Sequence, residues 1–401
     1  MKRYLKNFQF SQSFISECIY ECLQKRWKRT DTAYFFAEYI QKFNISDKNI
    51  HKIARACRTI ARNPDTRYEL YEIVDYIACD MYNDIVNRKI TLKPIRYEVR
   101  KDSSSRKERV IGISSIKQQV FDYIAVNTCK KMFLAKIGFY QCASLKGKGQ
   151  VFGKTAIEGW IRKDRSNTKY VYKCDVKKYY PSIDHDNIKK LLARDIKNND
   201  VLYLLGTLID SYNEGLCIGS YLSQYLANYY LSYAYHYVTE KSFSIRNHKN
   251  GTATRGNHVS HILFYMDDII MFSANKKYLK RAVDDFKNYL KNFLLLDIKS
   301  NDRLFKLDGD KIGMMGYIIS RHHTTIRKRI FIRICRVVRR IRRKRYKITY
   351  NQAKQIVSYY GWIKHSNSYN FCKQYSIGKI MSKAKKVVNE YEKGNIQRKT
   401  T

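Results

Sequence analysis

The spacing of apolar residues changes along the chain and predicts a different structure in each part. In residues 1–90 the apolar positions recur at helical spacing, as they do from Tyr68 to Met81, and this pattern predicts helices. Between residues 91 and 150 the apolar stretches shorten to strand-like pieces, RYEVRKD and ERVIGIS, which the basic segment KDSSSRKE joins. We therefore expect helices first and then a β-hairpin that presents cations.

Strand and helix patterns alternate from residue 170 to residue 320. The apolar strand KYVYKCDV precedes a helix that begins at Asn187, and a second helix begins near Tyr221. An apolar hairpin, HILFYMDDIIMFS, follows. The polar, basic stretch before this hairpin, KSFSIRNHKNGTATRGNH, contains two glycines and is predicted to be a loop.

Arginine dominates the chain beyond residue 321. Apolar residues recur at helical spacing from Ile330 to Ile341, and four arginines form a separate stripe: Arg333, Arg336, Arg340 and Arg343. A solvated helix face is the usual explanation of such a stripe. Because these like charges have no acids among them and repel one another, we expect them to contact phosphates instead.

The charge of the whole chain points in the same direction. Lys and Arg number 78 against 35 Asp and Glu, a formal charge of +43, which favours a polyanionic partner such as nucleic acid. No run of about 18 apolar residues and no signal-peptide pattern occurs, so we expect a cytoplasmic protein without a membrane partner. The ten cysteines are scattered singly and predict neither a zinc site nor disulfides.

Two adjacent aspartates, Asp267 and Asp268, lie inside the apolar hairpin, where burying two like charges is costly unless a cation compensates. A third carboxylate, Asp175, lies near the end of the strand KYVYKCDV. Together the three could hold two Mg²⁺ ions, or Mn²⁺ ions, about 4 Å apart, one activating a 3′-hydroxyl and one binding nucleotide phosphates. Taken alone, either segment is better explained as a solvated turn beside a strand.

The order of five segments resembles that of the motifs of reverse transcriptases. CDVKKYYPSID resembles their motif A, GLCIGSYLSQYLANYYL their motif B and FYMDDI their motif C, while FLLLDIKSN and IGMMGYII are similar to motif D and to the motif E primer grip. The resemblance implies the α+β fold of a right-hand polymerase. It divides the chain into a helical N-terminal extension (1–90), fingers and a palm with an antiparallel, ferredoxin-like sheet (91–320), and a basic helical thumb (321–401).

The resemblance also implies roles for the acidic residues and for two of their neighbours. Asp175 and Asp267 match the metal ligands, Asp268 matches the supporting carboxylate beside them, and the backbone carbonyl of Val176 would contact a metal ion. Lys299 matches the motif D lysine, which could protonate the pyrophosphate leaving group. An exposed loop lysine is nearly as good an explanation of Lys299.

The incoming nucleotide would meet a second set of residues. Tyr180 matches the aromatic steric gate, which excludes the ribose 2′-hydroxyl and so favours deoxynucleotides; a core tyrosine is the alternative. Arg109 matches the fingers residue that grips the triphosphate, with Arg106 or Lys107 as a second candidate. In motif B the matching residues are Ile218, Gly219 and Gln224, and Gln224 would share a helix face with Asn228, away from an apolar, tyrosine-rich face that packs in the core.

Motif B favours one branch of the family. Ile218-Gly219 and Ser223-Gln224 resemble the motif of diversity-generating retroelement reverse transcriptases, which implies misincorporation opposite template adenines. The partners implied are an RNA template, the cDNA product, deoxynucleotides, and a small basic oligomeric accessory protein or another reverse transcriptase subunit. A defence-associated (antiviral) reverse transcriptase that uses a dedicated noncoding RNA or no template, a maturase-like RNA-binding protein and an RNA-dependent RNA polymerase are the alternatives.

Overall fold

The computed structural model describes residues 4–101, 108–248, 250 and 252–400. Its N-terminal part is helical, as the apolar spacing predicted. The helices are α1 (Gln12–Leu23), α2 (Thr30–Lys42), α3 (Ile50–Arg62) and α4 (Tyr71–Val86), with a 3-10 turn at Arg67–Leu70. Their apolar faces join the main hydrophobic core, which continues into the central sheet, so this part packs directly on the rest of the molecule.

The predicted basic hairpin follows. Strands β1 (Arg96–Lys101) and β2 (Glu108–Ile113) pair in antiparallel register, and the residues that join them lie outside the described part of the chain. The next helix, α5 (Ile116–Lys136), begins after Ser115, whose hydroxyl accepts a hydrogen bond from the Gln118 backbone N–H.

A five-stranded sheet forms the centre of the molecule and confirms the predicted α+β fold. Its spatial order is β3-β7-β8-β4-β9, and every pair is antiparallel except β3 with β7. The strands are β3 (Gln141–Cys142), β4 (Tyr170–Asp175), β7 (His261–Tyr265), β8 (Asp268–Ser273) and β9 (Arg303–Lys306).

Three helices pack against this sheet: α6 (Gln150–Lys163), α9 (Tyr221–Lys241) and α10 (Lys276–Phe293). Two others, α7 (His185–Asp195) and α8 (Asn199–Asp210), pack against each other, and α8 also contacts α4 and α5. The prediction of a single apolar face on α9 was wrong. Its buried residues, which include Leu222, Tyr225, Asn228 and Leu231, lie all round the helix. A helix buried on every side has no polar face, and its tyrosines are accommodated because their hydroxyls find partners, as Tyr230 does with the Leu294 carbonyl oxygen at 2.7 Å.

The prediction of a loop before the aspartate hairpin was also wrong. It forms two antiparallel strands, β5 (Phe243–Asn247) and β6 (Ala253–Asn257), which pair with each other in a two-stranded sheet. Glycine and polar residues concealed the strands because both faces of this hairpin are exposed, and an exposed ribbon needs no alternation of apolar and polar residues.

The C-terminal part contains a small sheet and four helices. Strands β10 (Ile312–Met314), β11 (Tyr317–Ile319) and β12 (Thr324–Ile326) lead into α11 (Lys328–Arg343), α12 (Tyr350–Lys364), α13 (Tyr369–Gln374) and α14 (Ile377–Thr400). The predicted apolar stripe of α11 forms the centre of a separate core through Ile334, Val338 and Ile341. Within the described residues, no helix is long and apolar enough to cross a bilayer.

Candidate active site

The turn between β7 and β8 carries the paired aspartates. Tyr265 and Asp268 are opposite each other in the strand register, so Met266 and Asp267 form the turn. Met266 has a φ of 52°, in the left-handed region that favours glycine. A non-glycine residue keeps this conformation only where the surrounding structure imposes it. The turn therefore holds Asp267 at the tip of the hairpin and Asp268 at the start of β8.

Strand β4 brings the third carboxylate to the same place. Asp175 is the last residue of β4 and is paired with Asp268 in the antiparallel register. The following residue, Val176, donates its backbone N–H to the Asp267 carbonyl oxygen at 3.0 Å. Backbone pairing alone thus brings Asp175, Asp267 and Asp268 together, although motifs A and C are far apart along the chain.

Burial and repulsion perturb these carboxylates. Burial, together with the negative charge of Asp175, raises the pKa of Asp267 to about 6, and Lys299 acts in the opposite direction. Burial also raises the pKa of Asp268, against the lowering effect of Lys173. Carboxylates that are buried side by side disfavour one another's charge, and a nearby cation relieves the repulsion.

Two lysines supply positive charge at the site. The ammonium of Lys299 donates a hydrogen bond to Asp175 Oδ1, and that of Lys173 donates one to Asp268 Oδ1. Lys299 was predicted from the sequence as a site residue, and Lys173 was not. A signal for Lys173 existed, because it lies two residues before Asp175 on a strand and so projects from the same face.

The donor set fits a hard divalent cation by its chemistry, since carboxylate oxygens are the preferred ligands of Mg²⁺ and Mn²⁺. Val176 pairs with Ile298 in an isolated antiparallel bridge. The two hydrogen bonds of this bridge run from the Lys299 N–H to the Asp175 carbonyl oxygen and from the Lys177 N–H to the Asp297 carbonyl oxygen, so the Val176 carbonyl takes no part in it. Within the described ranges, however, no three acidic, His or Cys side chains converge as a ready metal site. Lys173 and Lys299 hold two of the carboxylates, so ion binding requires these lysine side chains to turn away.

Tyr180 lies between the acidic cluster and the basic hairpin β1–β2. Burial and the negative charge of Asp267 raise the pKa of Tyr180 to about 12, and the positive charge of Arg109 opposes them. Tyr180 is therefore within electrostatic reach of both a predicted metal ligand and a predicted triphosphate contact. Arg106 and Lys107, the second candidates for that contact, lie outside the described residues.

The loop before α9 is joined to the same hairpin. Gly112 of β2 donates its backbone N–H to the Ile218 carbonyl oxygen at 2.9 Å. Gly219 has a φ of 122°, and a Cβ atom there would lie 2.6 Å from the Gly112 carbonyl oxygen, so only glycine fits. Gln224 is half-buried in the first turn of α9.

Asn228 lies one turn after Gln224 on the same side of α9, but its side chain is taken up by backbone carbonyls, among them that of Gln224 at 3.1 Å. Its amide is buried and donates to the Ala143 carbonyl oxygen at 3.2 Å. Asn228 therefore fixes the loop after β3 to α9, because a buried amide needs a hydrogen-bond partner and the Ala143 carbonyl supplies one.

A buried acid of α5 holds the start of α9 and was not predicted from the sequence. Asp122 of α5 is 1% exposed and accepts hydrogen bonds through Oδ2 from the Ser220 hydroxyl at 2.7 Å and the Tyr221 backbone N–H at 3.1 Å. Burial raises the pKa of Asp122 to about 7. No sequence signal distinguishes this residue, because its burial depends on the packing of α5 against α9.

The predicted primer grip is tied to the predicted thumb. Gly316, with a φ of 82°, lies in the turn between β10 and β11 against the ring of Trp362 in α12. On α11, Arg336, Arg340 and Arg343 are exposed and Arg333 is half-buried. The four arginines follow one another at intervals of three and four residues, so they share one face of the helix.

The chain is similar to one protein family and to two solved structures. A family model described as reverse transcriptase (RNA-dependent DNA polymerase) matches residues 99–318. No curated protein matches the chain. Two apo telomerase structures from Candida tropicalis are similar: one, truncated from its C-terminal domain, is 14% identical over 60% of this chain and 58% of its own, with a TM-score of 0.38. The other is 10% identical over 77% of this chain and 66% of its own, with a TM-score of 0.42.

The chain thus spans less than two thirds of the length of either telomerase chain. The family match covers more than half of this chain and includes the strands and the turn that carry Asp175, Asp267 and Asp268. The chain belongs to the reverse transcriptase family.

Proposed function

We propose that this protein is an RNA-directed DNA polymerase, which adds deoxynucleotides to a 3′ end while copying RNA. The observation that carries the proposal is that strand pairing places Asp175, Asp267 and Asp268 at neighbouring backbone positions. Bound at these carboxylates and at the Val176 carbonyl, two divalent ions would lower the pKa of the attacking hydroxyl and neutralise charge on the transferred phosphate.

The chain's own residues would perform the remaining tasks. Tyr180 would exclude the 2′-hydroxyl, and Arg109 would hold the triphosphate with charge-assisted hydrogen bonds. Ile218, Gly219 and Gln224 would border the nucleotide and template. Lys299, once it releases Asp175, would supply a proton to the pyrophosphate leaving group.

Primer extension on an RNA template tests the proposal. We expect Asp267→Asn to lower the rate by on the order of 1,000-fold or more, because it removes a charge at the reacting centre. Asp186→Asn is the matched control, since this carboxylate is 78% exposed on α7 and should be dispensable. Extension by Asp267→Asn at the wild-type rate would refute the proposal. Chelation of divalent ions should abolish extension, and added Mg²⁺ should restore it.

For the biological setting we propose a diversity-generating retroelement, with a small basic accessory protein as partner. The support is Ile218 in motif B, where an aliphatic side chain replaces a glutamine that would pack against the nucleotide and template. Deep sequencing of DNA made from RNA that co-purifies with the protein tests this. Errors concentrated at template adenines support it; uniformly faithful copies, or homopolymeric DNA typical of untemplated synthesis by a defence polymerase, contradict it.

A further inference from the structure

The unpredicted hairpin β5–β6 lies at the end of the palm that faces away from the aspartates. It follows the C-terminus of α9, a helix of 21 residues that spans about 30 Å from the motif B loop. It also precedes β7, which runs from His261 to the aspartate turn. The hairpin is therefore outside the site formed by Asp175, Asp267 and Asp268.

Little in the protein holds this hairpin. The guanidinium of Arg255 lies 3.9 Å from the centre of the Phe243 ring and donates to the Glu240 carbonyl oxygen at 2.7 Å. His258 contacts the Ser244 hydroxyl at 2.6 Å and stacks on Tyr278 of α10, with ring centres 5.1 Å apart. The remaining strand surface is exposed, and two-stranded hairpins of this kind are only marginally stable in water.

The His258–Tyr278 stack places the hairpin beside a cluster of cations. Exposed positive charges on the hairpin and on the first two turns of α10 are Arg246, Arg255, Lys276, Lys277, Lys280 and Arg281; we call them the distal basic patch. Between residues 241 and 283 the only acids are Asp267 and Asp268, at the far end of β7 and β8. Asp284 and Asp285 follow in α10, and in the described part of the chain neither forms an ion pair with a lysine of the patch.

This charge is unfavourable for the free protein. The first turn of α10 contains no acid, and its lysines lie at the positive end of the helix dipole, where cations destabilise a helix. A partner that brings negative charge would relieve both effects. Among the described residues of the hairpin and the first two turns of α10, the large apolar side chains that are exposed are those of Ile245 and Tyr278, too few for the apolar centre of a protein–protein interface.

We propose that the distal basic patch binds the phosphate backbone of RNA that extends beyond the polymerase cleft. This inference rests on the proposed function, because it takes the RNA in the cleft to continue past it. The hairpin and the start of α10 would then form an anchor for the RNA, separate from the arginine stripe of α11.

Binding of two fluorescent RNAs tests the anchor. One is a primer–template duplex just long enough for the cleft, and the other carries unpaired tails longer than the about 30 Å length of α9. The patch variant is Arg246→Gln, Lys276→Gln, Lys277→Gln and Lys280→Gln. The matched control removes the same charge from exposed sites on α3 and α5: Lys52→Gln, Arg55→Gln, Lys130→Gln and Lys131→Gln.

We expect the tails to strengthen binding to the wild-type protein and to the control. In the patch variant the gain from the tails should be lost, and the slope of log affinity against log salt for tailed RNA should fall by about 3, or 0.7 per lost contact. Thermal unfolding should occur at the same or a slightly higher temperature, since unfavourable cations have been removed. The anchor would be refuted if the control lost as much affinity for tailed RNA as the patch variant. It would also be refuted if the patch variant lost as much affinity for the short duplex as for tailed RNA.

Primer extension on the short duplex separates this inference from the proposed function. A patch variant that extends the short primer normally but gains nothing from the tails supports both. A wild-type protein that extends the primer but gains nothing from the tails refutes the anchor and leaves the polymerase assignment intact. Tail-dependent binding without any extension by the wild-type protein refutes the polymerase assignment alone.

Discussion

Lys173 and Lys299 each neutralise one of the half-buried aspartates, Asp268 and Asp175. Adjacent carboxylates repel each other, so in the absence of a metal ion the lysines stabilise the folded arrangement. The same contacts oppose metal binding, because a lysine and a metal ion compete for the same oxygen. At this site the residues that stabilise the protein without a metal ion are therefore distinct from those that would hold one.

Tyr180 allows a direct test of sugar selection. Tyr180→Ala should lower the preference for deoxynucleotides over ribonucleotides by roughly 10- to 100-fold, because removal of the ring opens space for a 2′-hydroxyl. Tyr180→Phe keeps the ring and should keep the preference. Single-nucleotide incorporation rates with matched dNTP and rNTP pairs measure the ratio. An unchanged ratio in Tyr180→Ala would assign this tyrosine to the core alone.

Residue types and their order were sufficient to predict the acidic cluster but not its surroundings. Asp175, Asp267 and Asp268 could be predicted together because the order of their segments resembles the motifs of reverse transcriptases, whereas the strand patterns alone do not show that β4 and β8 are neighbours. Lys173 was within reach of prediction, because it lies two residues before Asp175 on the same strand. Asp122 was not, because a lone aspartate in a helix is ordinarily exposed, and only the packing of α5 on α9 buries it.

At the scale of elements, Asp122 makes the anchoring of α9 sensitive to pH. Its pKa is about 7 in the folded protein, against about 3.9 in an unfolded chain. The folded state therefore holds the proton more tightly, so the stabilisation is complete below about pH 4 and is lost as pH rises through 7, by about 1.4 kcal/mol per pH unit. The neighbouring Arg26 stays charged over this range, while burial raises the pKa values of Tyr212 and Cys217, so these stay neutral.

Asp122→Asn removes this titration and keeps an oxygen that can accept from Ser220 and Tyr221. We expect the free energy of unfolding of the wild-type protein, relative to that of Asp122→Asn, to fall by about 2–3 kcal/mol between pH 5 and pH 7. Urea denaturation at the two pH values measures the difference. Parallel pH dependence in the two proteins would mean that Asp122 does not titrate in this range.

The joint between the predicted primer grip and α12 depends on Gly316. A Cβ atom at this position would lie 2.3 Å from the Trp362 ring, and its φ of 82° disfavours other residues. We expect Gly316→Ala to reduce the free energy of unfolding by about 1–3 kcal/mol, through strain and overpacking. Gly309→Ala is the control, because no atom lies within 4 Å of its added Cβ. Equal thermal unfolding temperatures for the two variants would show that close packing of Gly316 against Trp362 does not stabilise the protein.

Among the elements, those with a buried face were the predictable ones. The helices α1–α4 and the strands β4, β7 and β8 have apolar patterns that follow from burial on one or both sides. The hairpin β5–β6 has no buried face and α9 has no exposed one, so neither shows the alternation on which its prediction depended. The elements that were predicted wrongly are thus those whose residues are almost all buried or almost all exposed.

At the scale of the whole molecule, the charge of +43 acts on stability and on binding in opposite directions. Without RNA, like charges repel and destabilise the compact state, and salt relieves this because the Debye length is about 10 Å at 0.1 M. With RNA, the same charges bind phosphates, and salt weakens binding through counterion release. Added salt should therefore raise the unfolding temperature of the free protein while it lowers the affinity for RNA.

The arginine stripe of α11 should show both effects. Replacing Arg333, Arg336, Arg340 and Arg343 by glutamine should reduce the slope of log affinity against log salt by about 3, if each contacts one phosphate. It should also make the unfolding temperature of the free protein less dependent on salt, because four mutually repelling charges are gone. The control that lacks Lys52, Arg55, Lys130 and Lys131 should show the weaker salt dependence of unfolding but nearly the wild-type binding slope. If both variants lose the same binding slope, net charge alone attracts RNA, and the stripe has no specific part in holding it.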